Sequence, residues 1–124
     1  MAVLIDTSTW IEFLRKPGTS AGRRLAGLLE SGQARLCGPV ESELVSGARN
    51  APQLREFLSA VPYVTVERPD FIRSGELQRD LLAKGDLFKP MDALIAAIAL
   101  RRSLPLLTLD LDFKRVPGLK LDPF

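Results

Sequence analysis

The chain has 124 residues, 46% hydrophobic and 26% charged, and its 17 basic and 15 acidic side chains leave a net charge of +2, a composition that suits one globular domain and argues against a disordered or fibrous chain. It contains no histidine and a single cysteine, Cys37, which excludes Ser-His-Asp and Cys-His triads, the usual zinc sites and an internal disulfide. No apolar run approaches the roughly 18 residues of a membrane span, and neither a signal-peptide pattern nor a glycine-rich phosphate loop occurs. The expectation is a soluble, cytoplasmic single domain over residues 1–124, with chemistry resting on carboxylates, hydroxyls, Lys and Arg, or on a metal held by oxygen.

Ala2-Val3-Leu4-Ile5 is a short apolar run ending in Asp6-Thr7-Ser8, which predicts a buried strand followed by a helix start. Thr9 and Glu12 fit a capping box, and Trp10, Phe13 and Leu14 supply that helix's apolar face until Pro17-Gly18 stops it. Ser20 caps a second helix to about Glu30, and Ala34 to Cys37 is a short strand. Pro39 stands where a first-turn proline belongs, opening a helix from Val40 to Gly47. Asn50 precedes another helix, with Leu54, Phe57 and Leu58 at helical spacing. Tyr63 to Val66 alternates like a strand. Helices follow from about Asp70 to Lys84 and from Met91 to Arg101. Leu104 to Leu109 is a strongly apolar strand, and Gly118 to Leu121 a last edge strand. Strands alternating with helices imply an α/β domain around a mainly parallel sheet.

In such a sheet the carboxyl ends of all strands lie along one edge, where sites are placed. Asp6 closes the first strand and Asp110 the late one, and both strands are apolar enough to be central, so the two acids should be neighbours. A single Asp after a strand is an ordinary cap or turn residue; two at the ends of buried strands are less ordinary. Asp92 lies on the same helical stripe as Ile95, Ala96 and Ala99, which faces the core. The helix dipole explains an Asp in a first turn but not its pointing inward. In the Val40–Gly47 helix, Glu41 and Glu43 point in nearly opposite directions. Glu43 shares a stripe with Val40 and Gly47, whereas Glu41 reads as solvent-facing.

Clustered carboxylates repel: at an effective dielectric of about 20, two unit charges 4 Å apart cost about 4 kcal/mol. The cluster must take up protons or bind a cation, and an all-oxygen site suits Mg²⁺ or Mn²⁺. Setting aside Asp6, Glu43, Asp92, Asp110 and Asp112 leaves ten acids against 17 basic residues. The pairs Arg15-Lys16, Arg23-Arg24, Arg101-Arg102 and Lys114-Arg115 are ordinary as surface charge, yet together they suit a polyanionic substrate. Trp10 and Phe13 read as core or partner-groove residues rather than base-stacking platforms.

Four stretches together resemble the PIN-domain nucleases: Leu4-Ile5-Asp6-Thr7-Ser8, Glu43-Leu44-Val45-Ser46-Gly47, Met91 through Ala99 around Asp92, and Leu106 through Phe113. Within them the chain is most similar to the VapC-type toxins of toxin–antitoxin pairs. The resemblance covers essentially the whole chain, and its four motifs stand in the family's order. It implies a three-layer α/β/α PIN-like domain with a mainly parallel sheet of four or five strands. It also implies an Mg²⁺- or Mn²⁺-dependent ribonuclease that hydrolyses RNA phosphodiesters with metal-activated water. Asp6, Glu43, Asp92 and Asp110 match the acidic quartet and Asp112 an additional acid, the five implied metal ligands, and Thr7, Ser8 and Thr108 match the small hydroxyl positions that order acids and water. Homodimerisation and silencing by a VapB-type antitoxin, whose C-terminal segment lies over the site, are likewise implied. Glu41 and Asp86 are extra acids close to matched positions.

Two other readings compete. A PIN-like module could bind RNA or a partner without cutting, although all four acids are present. A phosphoacceptor receiver domain has similar size and a Lys-Pro pair like Lys89-Pro90, but it needs adjacent acids after the first strand, where Asp6 stands alone.

Overall fold

The computed structural model describes residues 1–124. Its elements run β1 (Val3–Ile5), α1 (Thr7–Arg15), α2 (Ser20–Glu30), β2 (Ala34–Cys37), α3 (Gly38–Ser46), α4 (Ala51–Leu58), β3 (Tyr63–Val64), α5 (Arg68–Ala83), α6 (Pro90–Arg102), β4 (Leu106–Leu107) and a closing 3-10 helix, Leu111–Arg115. The four strands form one all-parallel sheet in the order β3-β2-β1-β4, and helices complete the expected three-layer α/β/α arrangement. None of the helices is long and apolar enough to cross a membrane.

Strand order places the site. The chain builds the sheet outward from β1 through β2 to β3, then crosses back to lay β4 on the other side of β1. Parallel α/β sheets open a crevice at such a reversal, beyond the carboxyl ends of the two strands involved. The register pairs Leu4 with Leu106 and Ile5 with Leu107, so the next residues, Asp6 and Thr108, leave the sheet side by side.

Val3, Leu4, Ile5, Leu36, Leu106 and Leu107 are all buried in the core, which explains why these strands read as unbroken apolar runs rather than alternations. Five consecutive residues of α6, Ile95 to Ala99, are also buried. The three alanines among them let α6 sit close to its neighbours α5 and α3. A T-shaped contact between Trp10 and Phe57, with ring centroids 6.2 Å apart, packs α4 against α1.

Several boundaries differ from the sequence expectation. Helix α1 is capped by Asp6 rather than Thr9; Thr9 is buried and donates its hydroxyl to the Leu107 carbonyl at 3.1 Å, tying the helix to β4. Thr19, not Ser20, caps α2 by accepting from the Gly22 N–H. Strand β3 stops at Val64, because the Thr65 carbonyl accepts from Arg101 and Glu67 already caps α5. Strand β4 is shorter than Leu104–Leu109, and Asp110 caps the 3-10 helix instead of closing the strand. The last edge strand is reduced to one parallel bridge, Leu106 with Leu121. It still covers the outer side of β4, held there by the forked Arg24–Asp122 pair at 2.8 and 2.9 Å.

Candidate active site

Asp6 occupies an N-cap position yet makes no capping hydrogen bond. Its carboxylate is engaged elsewhere: Oδ2 accepts from the Ser8 hydroxyl and the Thr108 hydroxyl, each at 2.7 Å. Both hydroxyls are themselves held by backbone. The Leu109 N–H donates to Ser8 Oγ at 3.0 Å and the Asp110 N–H to Thr108 Oγ1 at 2.9 Å. Each hydroxyl has only one proton to give, so both are committed to Asp6, and Oδ1 is left outside this network. The carboxylate is only 3% exposed, and two charge-assisted bonds offset part of the cost of burying it.

Glu43 comes from the second turn of α3, where Thr7 donates its hydroxyl to Oε1 at 2.6 Å. This contact turns Glu43 toward the start of α1, next to Asp6. Glu41 lines a separate groove with Ser42, Arg55, Glu56 and Tyr63, which none of Asp6, Glu43, Asp92 and Asp110 borders. Asp110 Oδ1 accepts from the Asp112 N–H at 2.9 Å, a tight local turn that fixes its direction.

Asp92, in the first turn of α6, takes no part in these hydrogen bonds. Desolvation, together with the charges of Asp6, Asp110 and Glu43, pushes its carboxyl up to about 6. Those charges come from the end of β1, from α3 and from the segment after β4, all within electrostatic range of Asp92. The two remaining acids behave differently. Asp112 and Asp86 each pair with Arg115, at 2.9 and 3.2 Å, and the Asp112 carboxylate is exposed. Cys37, beside the site at the end of β2, is buried, and its thiol is pushed up to about 12, first by desolvation and then by nearby carboxylates. A thiol so reluctant to ionise is no nucleophile or metal ligand at neutral pH.

No group of three or more acids is close enough to enclose a metal ion directly. An all-oxygen set of this kind still fits Mg²⁺, which dehydrates reluctantly and commonly uses one or two carboxylates and several waters. Beside the acids, Glu43 also borders a groove of about 930 Å³ between α1, α3 and α4. Ile11, Leu14, Leu44 and Phe57 form its apolar walls, and Arg15 and Arg49 stand in the same groove. Trp10 lies buried behind it against Phe13 and Phe57.

Sequence reasoning missed the buried carboxylate of Asp70, gripped by Arg101 through Nε at 2.5 Å and Nη2 at 2.9 Å. It also missed the pairing of Arg115. For the latter a signal was present, since Asp112 and Arg115 are three residues apart in a helical turn.

A profile of the PIN domain matches residues 3–119. Ribonuclease VapC11 from Mycobacterium tuberculosis is 31% identical over 118 residues, covering 90% of this chain and 88% of that protein. Ribonuclease VapC21 from the same organism is 30% identical over 106 residues, covering 81% and 77%. Among solved structures, VapBC2 from Rickettsia felis bound to a DNA fragment from its promoter superposes with a TM-score of 0.82 at 26% identity, covering 100% of this chain and 99% of that one. DNA-bound VapBC from Salmonella typhimurium gives a TM-score of 0.81 at 26% identity, with 98% and 97% covered.

Proposed function

The chain belongs to the VapC branch of the PIN domain family, and from that membership and the disposition of its acids we propose that it is a divalent-metal-dependent endoribonuclease toxin restrained by a VapB-type antitoxin. The observation that carries this reading is that Asp6, Glu43, Asp92 and Asp110, from four parts of the chain, lie within electrostatic reach of one another, the Asp92 carboxyl being raised first by burial and then by the other three charges. Such repulsion is relieved by a cation, and with no imidazole in the chain the donors suit Mg²⁺ or Mn²⁺.

Asp6 and Asp92 would hold the principal ion, with Glu43 directly or through water, and Asp110, with Asp112, would complete the site or help to hold a second ion. When bound, the cation supplies an activated water and neutralises charge on the scissile phosphodiester. The chain's own part is orientation. Ser8 and Thr108 fix Oδ2 of Asp6 and leave Oδ1 available. Thr7 fixes one oxygen of Glu43 and leaves the other. Arg15 and Arg49, in the groove that Glu43 borders, engage RNA phosphates, which position a substrate without reading its sequence. The apolar walls of the same groove seat the antitoxin segment, a reading supported by the toxin–antitoxin complexes among the structural relatives. A homodimer is part of the proposal, since Phe71 and Ile72 lie adjacent and more than half exposed on α5, apolar surface of the kind a second copy covers. One PIN domain, residues 1–124, carries all these roles.

The test is cleavage of total bacterial RNA with and without Mg²⁺, with 5′-end mapping of the products. The wild type should cut only with metal, and Asp6→Asn and Asp92→Asn should not cut. Full metal-dependent cleavage by either variant overturns the assignment, and metal-free binding without cleavage favours a non-cutting module.

A further inference from the structure

Asp92 and Asp110 enter the site on segments that have no sheet pairing to each other. Asp92 arrives on α6 after an irregular stretch, residues 84–89, that includes Gly85 at φ +82°. Asp110 caps the 3-10 helix. Two side-chain contacts join the two, one ionic and one aromatic. Arg115, at the end of the 3-10 helix, reaches Asp86 with Nη1 at 3.2 Å and Asp112 with Nη2 at 2.9 Å. Its guanidinium also lies 6.0 Å from the centroid of the Phe88 ring, within range of a cation–π attraction. Phe88 in turn meets Phe113 edge-on at 5.7 Å, and its carbonyl accepts from Gln78 of α5 at 3.0 Å.

Resting on the metal-dependent reading above, we infer that Arg115 is a positioning residue for the metal site. It clasps the α5–α6 connection, which delivers Asp92, against the 3-10 helix that begins at Asp110. Two carboxylates brought together repel, and segments free to part would relieve that repulsion by separating. A guanidinium paired with one acid on each segment opposes the separation. Isolated surface ion pairs contribute little, but this guanidinium is fixed by two acids and a ring that is itself packed against Phe113. Asp112 accordingly serves the clasp through its carboxylate and Asp110 through its N–H.

The test compares wild type, Arg115→Met, Arg115→Lys and Asp86→Asn. Mn²⁺ uptake is followed by the paramagnetic resonance of free Mn²⁺, amide exchange over residues 84–92 is measured without metal, and RNA cleavage is measured against Mg²⁺ concentration. Removing groups that orient metal ligands typically costs 10–100-fold in affinity, so Arg115→Met should weaken Mn²⁺ binding by roughly tenfold or more. Exchange over 84–92 should speed up, and the Mg²⁺ needed for half-maximal rate should rise by the same factor. At saturating Mg²⁺ the KM for RNA should return to the wild-type value, which general destabilisation would not produce. Asp86→Asn and Arg115→Lys should fall between Arg115→Met and wild type. Wild-type Mn²⁺ affinity in folded Arg115→Met overturns the inference. If that variant does not fold, unchanged Mn²⁺ affinity in Asp86→Asn, which keeps the Asp112 pair, overturns it instead. Failure of the wild type to take up Mn²⁺ removes the nuclease reading and the clasp with it, whereas equal binding by all four proteins removes only the clasp.

Discussion

Thr108 and Asp6 are separated by 102 positions in the chain, yet the hydroxyl of one donates to the carboxylate of the other at 2.7 Å. Hydrogen bonds to charged groups are worth about 1.5–3 kcal/mol. Thr108→Val, which keeps the shape and deletes the donor, should lower unfolding stability by roughly 2 kcal/mol and weaken Mn²⁺ binding. Thr108→Ser should retain most of both. Urea unfolding beside a metal titration reads the two effects, and a fully stable Thr108→Val variant would contradict the role given to this hydroxyl.

The raised carboxyl of Asp92 makes stability depend on pH in a defined direction. Between its ordinary value of 3.8 and about 6 the folded chain holds this proton more tightly than the unfolded chain. Stability from this group therefore falls as pH rises through that window, and the deficit persists above it. Asp92→Asn should melt higher, relative to wild type, at pH 8 than at pH 5 when metal is chelated. A difference that does not change with pH would argue against crowding of the four acids.

Divalent metal should reverse that deficit. Binding to the folded chain alone adds RT ln(1 + [L]/Kd), about 2.7 kcal/mol at a hundred times Kd. Mg²⁺ or Mn²⁺ at millimolar concentration should raise the wild-type Tm at pH 7.5 and leave Asp92→Asn nearly unmoved. Below about pH 6 protons compete for Asp92, so the metal-induced rise should shrink. A Tm indifferent to both ions would count heavily against the proposed centre.

Asp70 has no exposed surface. Burial alone would raise its carboxyl, but the Arg101 hydrogen bonds and the Glu67 N–H outweigh it and hold the group below its ordinary value. Breaking a buried pair by removing one partner costs about 3–5 kcal/mol, so Arg101→Met should be strongly destabilised at pH 7. The pair's contribution is present above the ordinary carboxylate value and lost as pH falls through the lower folded value. The gap between variant and wild type should therefore narrow in strong acid. Paired melting curves across that range check it.

The legible parts of the molecule were those whose signals are local or periodic. Apolar runs marked β1 and β4, and the Ile95-Ala96-Ala99 stripe pointed Asp92 toward the interior. The helical stripe also favoured Glu43 over Glu41, as the Thr7 bond now supports. Local rules failed where a side chain had a distant partner. Thr9 looked like a cap because its competing acceptor, the Leu107 carbonyl, is 98 positions away. Asp6 is the cap in position but not in bonding, for the same reason. Strand ends were overextended at Thr65 and Thr108, whose polar groups are drawn to Arg101 and Asp6. The Arg101–Asp70 pairing spans 31 positions and left no periodic trace.

Because β4 is the last strand in chain order yet lies directly against the first, Asp6 depends for its second hydroxyl donor on a residue 102 positions further along the chain. A chain cut short before Leu106 to Asp110 would lack both the Thr108 hydroxyl that Asp6 accepts from and the Asp110 carboxylate, so its acidic edge would be unfinished.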